Sequence, residues 1–320
     1  MIKLFKFFLI YFFLVSCNSK EDLESKISSI QLELEIDRFD KKFYEANNFQ
    51  LNNLKKKYPF FFPEQFHDTI WINRQNDSLQ VLLQNEINRI FPSDNQLKNS
   101  IKELFKHLKY YFADFKAPRV ITVVNNVDFQ SKVIYNDSLL IISIDTFLGN
   151  QNKIYQGIPN YISLDMDLKY LTSNIVEEFS YIKIPDSDNR TLLSQIIYSG
   201  KKLYLKDLLI PNLIDEIKIG YSENQIKWVR ENELFIWKYF IERDLLYSTH
   251  PSLKQRFIDP SPFSKFYLEI DNLSPGKVGQ WIGWQIVRSY VKGNPDLSVI
   301  DIINASETKI FNKSNYKPSK

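Results

Sequence analysis

Apolar residues recur along much of this chain at the three- and four-residue spacing of amphipathic helices. The clearest stripe covers residues 79–91 and follows Asp77, whose side chain suits a helix N-cap, while Pro92 marks its end. A second stripe covers residues 97–115. Each stripe is as wide as an ordinary core face, so we expect two helices that pack as a hairpin.

Two further helices are predicted by a capping motif or a glycine contact in addition to their apolar spacing. Ser222, with Gln225 three residues later, resembles a capping box and predicts the start of a long helix. Another helix follows the sequence SPGKVG, and its Gly283 leaves room for a second backbone to approach closely. We expect the neighbouring Trp284 to be buried there.

Strand patterns are concentrated in residues 119–144, which are rich in Val and Ile. Polar residues at 135–138 predict the tight turn of a β-hairpin. Apolar and polar residues alternate over residues 30–36, which predicts a half-buried strand. The aromatic segment 58–66 suits either the edge of a core or a partner-binding surface. No repeat or linker divides residues 31–320, so we expect a single α+β domain, predominantly helical with a small central β-sheet.

The first residues have the three-part pattern of a secretory signal. Lys3 and Lys6 precede an apolar run over residues 7–15, which is shorter than the roughly 20 residues needed to span a bilayer. The segment LVSC ends at Cys17, the single cysteine of the chain, and resembles the lipobox of bacterial lipoproteins. We therefore predict a signal peptide at residues 1–16 and lipidation of Cys17, including palmitate. A plain signal peptide with an incidental cysteine is the alternative.

Residues 17–30 are polar and carry both signs of charge, which predicts a lipid-anchored tether that holds the domain off the membrane. Glu21 and Asp22 resemble the acidic signals that send lipoproteins of the Bacteroidota to the outer face of the outer membrane. A solvated linker is the alternative explanation of these charges. We expect the protein in the cell envelope, lipid-anchored at the outer or inner membrane, with its side undetermined.

The composition is that of a globular protein, with 44% hydrophobic and 25% charged residues. The net charge of +3 falls to about +1 without Lys3 and Lys6, which is too little for a nucleic-acid partner, because such proteins displace counterions with a strongly basic face. No glycine precedes Gly149, and no glycine-rich loop of the kind that cradles phosphates is present. We predict no cofactor.

Motifs for catalysis are missing from the sequence. His67, His107 and His250 lie far apart, so no helix presents two histidines to a metal, and we expect each to be exposed or locally hydrogen-bonded. With Cys17 acylated no thiolate remains, and no GxSxG elbow marks a serine hydrolase. The residue pattern alone leaves the function undetermined.

Seven distinctive segments spread over nearly the whole predicted mature chain. They are FDKKFY (39–44), YPFFFP (58–63), DTFLG (145–149), YQGIPNYI (155–162), LYLKDLLIP (203–211), PFSKFYLEIDNLSPGKVGQWIGWQIVRSYV (262–291) and NKSNYKP (312–318). Together with the lipobox they resemble the gliding motility lipoprotein GldB family of the Bacteroidota. The resemblance implies a membrane-anchored accessory of the gliding machinery, linked with type IX secretion, whose partners are other envelope proteins. It implies no known reaction.

That family in turn resembles predicted zinc peptidases with an HExxH helix and a later Glu ligand before a glycine. The resemblance implies a zincin-like fold in which Glu177 and Tyr181 stand at the histidine positions and Glu178 at the place of the general base. Ser199, before Gly200, stands at the later ligand position. Catalytic zinc needs three protein ligands, so the implied metal site is degenerate and no catalytic or metal-binding residue is predicted. We therefore predict a non-enzymatic protein, with a hydrolase that uses Glu178 as its base as the alternative.

Overall fold

The computed structural model describes residues 19–186 and 190–318, so the predicted signal peptide and Cys17 lie outside the described residues. Its helices are α1 (Ser19–Ser28), α2 (Phe39–Tyr44), α3 (Asn48–Lys57), α4 (Asp68–Gln75), α5 (Ser78–Ile90), α6 (Asn95–Tyr111), α7 (Asn160–Ser163), α8 (Leu171–Lys183), α9 (Leu192–Leu209), α10 (Asp215–Ile219), α11 (Glu223–Glu231), α12 (Glu233–Glu242), α13 (Ser252–Phe257), α14 (Val278–Lys292), α15 (Val299–Asn304) and α16 (Glu307–Ser314). Its strands are β1 (Ile36–Asp37), β2 (Arg119–Val123), β3 (Val133–Tyr135) and β4 (Leu139–Ser143). Within the two described ranges, no helix is both long enough and apolar enough to cross a membrane.

The strands of the described residues form one mixed sheet in the order β1, β2, β4, β3. Strand β2 pairs in parallel with β1 and β4, whereas β3 and β4 pair antiparallel. Asn136 closes the turn between β3 and β4, because its side-chain oxygen accepts hydrogen bonds from the backbone N–H groups of Ser138 (2.9 Å) and Leu139 (2.8 Å). The predicted β-hairpin and the α+β class, mostly helical with a small sheet, are therefore confirmed. The strand predicted over residues 30–36 is wrong in extent, since β1 contains only Ile36–Asp37.

The helix caps that the sequence predicts are present. Asp77 accepts two backbone N–H groups at the start of α5, and Ser222 and Gln225 form the reciprocal capping box of α11. The long helix predicted after Ser222 is instead two helices, because α11 ends before Asn232 and α12 begins directly after it.

Helices α9 and α14 cross in direct backbone contact at two glycines. A Cβ atom added at Gly283 would lie 1.8 Å from the carbonyl oxygen of Ile196, and one added at Gly200 would lie 2.2 Å from the carbonyl oxygen of Gly283. Neither position can hold a side chain without moving a helix. The close approach predicted at Gly283 is confirmed, and Trp284 beside it is fully buried.

Two large hydrophobic clusters and one small one organise the described residues. The first surrounds the sheet with the buried faces of α5, α6 and α8, and the second packs several helices around α14. Helix α9 joins them, since Leu209 lies in the first cluster and Ile196 in the second. The third cluster contains Tyr58 and Phe62, so the aromatic segment 58–66 contributes to a core.

The N-terminal segment differs from the predicted tether. Residues 19–28 form α1, which lies against α6 and buries Ile27. His107 on α6 is buried as well, and it is locally hydrogen-bonded, which is one of the two environments expected for it. Its Nδ1 lies 2.9 Å from the carbonyl oxygen of Glu103, and its Nε2 lies 3.5 Å from a carboxylate oxygen of Glu24 on α1. The polar side of α6 is thus covered by α1, a contact that helix periodicity cannot reveal.

Candidate functional site

A cavity of about 660 Å³ lies between α8, α9, α10, α13 and the N-terminal end of α14. This volume is within the range of about 300–1,000 Å³ that is usual for small-molecule sites. Its wall combines tyrosine rings and aliphatic side chains with many charged groups. The lining residues that define the site are Glu177, Tyr181, Ser199, Lys202, Lys206 and Lys277.

Glu177 on α8 is held by two lysines of α9. Its Oε1 lies 2.6 Å from Nζ of Lys202, and its Oε2 lies 2.9 Å from Nζ of Lys206. The lysines are four residues apart, so one face of α9 presents both. Burial by itself would raise the pKa of Glu177, but the two ammonium groups outweigh burial and hold this pKa well below its usual range. Glu177 is therefore ionised at neutral pH and is a poor proton acceptor.

Tyr181 and Ser199 complete this part of the wall. Nζ of Lys202 donates to the hydroxyl oxygen of Tyr181 at 3.2 Å and lies 4.2 Å from the centroid of its ring. The Ser199 hydroxyl donates to the carbonyl oxygen of Gln195, 2.9 Å away and one turn earlier on α9. The structure thus brings together Glu177, Tyr181 and Ser199, three of the four positions implied by the peptidase resemblance.

Glu178 does not share the cavity wall with those three positions, because it is not among the described residues that line the cavity. It is half-buried on α8. Burial, together with the negative charge of Glu177, raises the pKa of Glu178. A raised pKa suits a general base. The peptidase resemblance implies that Glu178 is the general base of the site. In the structure the carboxylate in the cavity wall is that of Glu177.

The donor set of the wall does not fit a catalytic zinc ion. Both oxygens of Glu177 already contact ammonium groups, and neither Tyr181 nor Ser199 belongs to the usual zinc ligands. Within residues 19–186 and 190–318, no group of three or more His, Cys, Asp or Glu side chains is placed to hold a metal ion. We therefore assign no metal-dependent step to this wall.

Lys277 lines the cavity at the N-terminal end of α14, where its backbone is left-handed with φ 63°. Its Nζ donates to the carbonyl oxygens of Ile219 (2.6 Å) and Gly220 (3.3 Å). Burial lowers the pKa of Lys277 to about 8. The left-handed conformation is unusual for a residue other than glycine, and such strained residues cluster at functional sites.

None of the three lysines of the site was predicted from the sequence. The available signal was the presence of Lys202 and Lys206 within α9, a helix with buried residues on most of its sides. Lysines are almost never buried without a partner. A lysine in an apolar helix therefore predicts a nearby acid, although it does not identify Glu177 as that acid.

An ion-pair network that includes Lys218 of the cavity wall connects α9, α10 and α14. Asp207 on α9 accepts from Nζ of Lys218 at 3.0 Å and from Nε and Nη2 of Arg288 at 2.7 and 2.8 Å. Arg288 also donates to both carboxylate oxygens of Asp215. Such bidentate pairs fix geometry as well as adding energy. The network holds the helices that carry Lys206 and Lys277 in their relative positions.

The described fold and site define an α+β protein with a lysine-rich cavity in its helical part. A family model described as gliding motility protein GldB matches residues 20–318. The chain therefore belongs to the GldB family, which confirms the family resemblance of its sequence. No curated protein and no solved structure matches the chain. The implied zincin-like fold thus has no support from known structures.

Proposed function

We propose that this protein is a lipid-anchored component of the cell envelope that serves the gliding machinery without catalysing a reaction, and that it is linked to type IX secretion. The family match over residues 20–318 supports the role in gliding. The lipobox that ends at Cys17 supports the lipid anchor. The partners of such an accessory are other gliding or secretion proteins of the envelope.

The pairing of Glu177 with Lys202 and Lys206 is the observation that carries the non-enzymatic part of the proposal. Both carboxylate oxygens are engaged, at 2.6 and 2.9 Å. A general base works best with a pKa near the operating pH, whereas the two lysines hold the pKa of Glu177 far below neutrality. The cavity therefore suits binding better than proton transfer.

A hydrolase that uses Glu178 as its base is the competing function, and the raised pKa of Glu178 favours it. Such an enzyme would have to meet its substrate outside the cavity, because Glu178 does not line the wall. The two functions predict different responses to the loss of this one carboxylate.

The deciding experiment replaces Glu178 by Gln in a gliding host whose own copy of the gene is deleted. Cell spreading, the amount of secreted protein and the abundance of the variant are measured together. A general base contributes roughly 10²- to 10⁴-fold to a rate, so a hydrolase would lose nearly all turnover. The non-enzymatic protein should support normal spreading. Gln keeps the size of Glu, so we expect no loss of abundance.

Two further variants serve as controls. Glu231→Gln makes the same chemical change on the exposed face of α11, where the Glu231 side chain is 62% exposed, and should alter nothing. Trp284→Ala should reduce spreading and abundance together, because Trp284 is fully buried. A Glu178→Gln protein that is present at normal level but cannot support spreading overturns the non-enzymatic proposal.

A further inference from the structure

The cavity wall carries more positive than negative charge. Its charged residues are the cations Arg190, Lys202, Lys206, Lys218, Lys254 and Lys277 and the anions Asp165, Glu177, Asp186 and Asp259. Two partners outside the wall leave this balance unchanged, because Lys132 pairs with Asp165 while Asp207 pairs with Lys218. The described wall therefore has a surplus of two positive charges.

The surplus is located at three ammonium groups. Glu177 is the shared partner of Lys202 and Lys206, so one carboxylate balances two cations. Lys277 contacts carbonyl oxygens, and within the described residues no carboxylate lies within 4.0 Å of its Nζ. An ammonium has three N–H donors, and among the described residues Lys277 donates to these two carbonyl oxygens while its Nζ also lies 5.2 Å from the centroid of the Tyr221 ring, so one donor has no oxygen or nitrogen acceptor.

The rest of the wall suits an organic molecule attached to the charged group. Tyrosine rings and aliphatic side chains also line the cavity, at Tyr170, Tyr198, Leu203, Ile217 and Ile258. Sites of this kind bind a ligand through apolar contact area and orient it with a few polar groups. A small inorganic ion alone would leave most of the 660 Å³ unfilled.

We infer that this cavity binds a phosphate monoester, with the phosphoryl oxygens at Lys202, Lys206 and Lys277 and the organic part against the tyrosine and aliphatic wall. A phosphate monoester carries about −1.5 to −2 charges at pH 7, which matches the surplus of the wall. Lysine is a common phosphate ligand as a point charge. The site does not depend on the proposed role in gliding.

Calorimetry on the full-length protein in a nonionic detergent tests this site, with phenyl phosphate as the probe. We expect saturable binding with one probe per chain, and binding at least about tenfold weaker for benzenesulfonate, which has the same ring and only one negative charge. Equal affinity for the two probes overturns the inference that the site matches the two negative charges of a phosphate monoester. The absence of saturable phenyl phosphate binding overturns the site.

Two variants test the assigned residues. Lys277→Gln should weaken phenyl phosphate binding at least about tenfold, because it removes a charge-assisted contact. Lys227→Gln is the matched control on α11, outside the cavity wall, where the side chain is 72% exposed and lies 3.9 Å from Glu231, and it should bind like the unmodified protein. A folded Lys277→Gln protein with unchanged affinity overturns the assignment.

Glu177→Gln keeps the proposal testable if Lys277→Gln fails to fold. Replacing the carboxylate that now pairs with Lys202 and Lys206 removes the negative charge that competes with the ligand, while Lys206 keeps its hydrogen bond to the carbonyl oxygen of Lys218 and Lys202 keeps the one to Tyr181, so phenyl phosphate should bind severalfold more tightly. A merely structural role of Glu177 would give no such gain, and unchanged or weaker binding by the folded variant overturns the assignment.

The source of the phosphate ester is decided by competition. Dioctanoyl phosphatidic acid displaces phenyl phosphate if the site accepts a lipid headgroup, whereas dioctanoyl phosphatidylcholine, a phosphodiester with a quaternary ammonium, should not. Displacement by phosphatidic acid supports a lipid ligand, and its failure with intact phenyl phosphate binding supports a small water-soluble ester. Displacement by phosphatidylcholine to the same extent overturns the monoester assignment.

Discussion

Asp207 on α9 accepts a hydrogen bond at 2.8 Å from the indole Nε1–H of Trp284 on α14. Arg288, one turn further along α14, binds the same carboxylate, and its guanidinium carbon lies 3.7 Å from the centroid of the Trp284 ring. A single acidic side chain therefore ties together the two helices that cross at Gly200 and Gly283. The cavity is positioned by this contact, because α9 carries Lys202 and Lys206 and α14 begins next to Lys277.

Truncation of Trp284 should destabilise the protein strongly. Trp284→Ala removes a fully buried aromatic side chain, which typically costs about 3–5 kcal/mol of a total of about 5–15 kcal/mol. Trp284→Phe keeps a ring but removes the N–H donor to Asp207, so its cost should be smaller. Urea unfolding of the full chain measures both changes. Equal midpoints for Trp284→Ala and the unmodified protein would contradict the packing described.

The glycine crossing gives a second test of the helix packing. Gly283→Ala places a Cβ atom 1.8 Å from the carbonyl oxygen of Ile196, so the helices must separate, and we expect a loss of at least about 1–3 kcal/mol. Gly293→Ala is the matched control, because its nearest contact would be an ordinary 3.6 Å and its φ is −79°. That change should be neutral or slightly stabilising. Thermal unfolding compares the two, and similar midpoints would argue against the backbone contact.

Because the carboxyl group of Asp145 is buried, the free energy of unfolding should decrease as the pH rises from about 4 to about 6. Burial raises the pKa of Asp145 to about 6, although its oxygens accept backbone N–H groups from Val127 (2.7 Å) and Asn125 (3.2 Å). The unfolded pKa is about 3.9, so the folded state binds more protons in this window and stability decreases as pH rises. The full effect is on the order of 3 kcal/mol.

Asp145→Asn isolates this contribution from the other titrating groups. The variant lacks the ionisation, so the free-energy difference between the unmodified protein and Asp145→Asn should shift against the unmodified protein as pH rises from 4 to 6. Urea unfolding at a series of pH values measures it. Parallel pH curves for the two proteins would show that Asp145 does not titrate in this window.

Cys17→Ala tests the predicted anchor. One acyl chain gives marginal membrane binding of about 10⁴ M⁻¹, whereas the three chains of a mature lipoprotein should anchor firmly. The variant should therefore leave the membrane fraction of the cell, which immunoblotting after a high-salt wash detects. A variant that still sediments with the membranes would place the anchor elsewhere in the chain.

Several local features of this protein were determined by the sequence alone. Asp77 and Ser222 start helices because their side chains satisfy nearby backbone N–H groups, and Asn136 closes its hairpin in the same way. Gly283 predicted a close contact between helices, because a residue with a Cβ atom does not fit there. Each of these signals acts over a few residues, so the physical cause and its effect lie in the same stretch of sequence.

The site was decided by the tertiary structure. Glu177, Lys202 and Lys277 are far apart in the sequence, and nothing in the local pattern shows that α8, α9 and α14 bring them to one cavity. The same holds for His107, which lies on the polar side of its own helix and is buried only because α1 packs there. Charge pairing and burial depend on distance in space, whereas periodicity and capping depend on distance along the chain. The sequence therefore determined the helix caps, the turn and the glycine contact, and only the packing of the helices determined which charges meet.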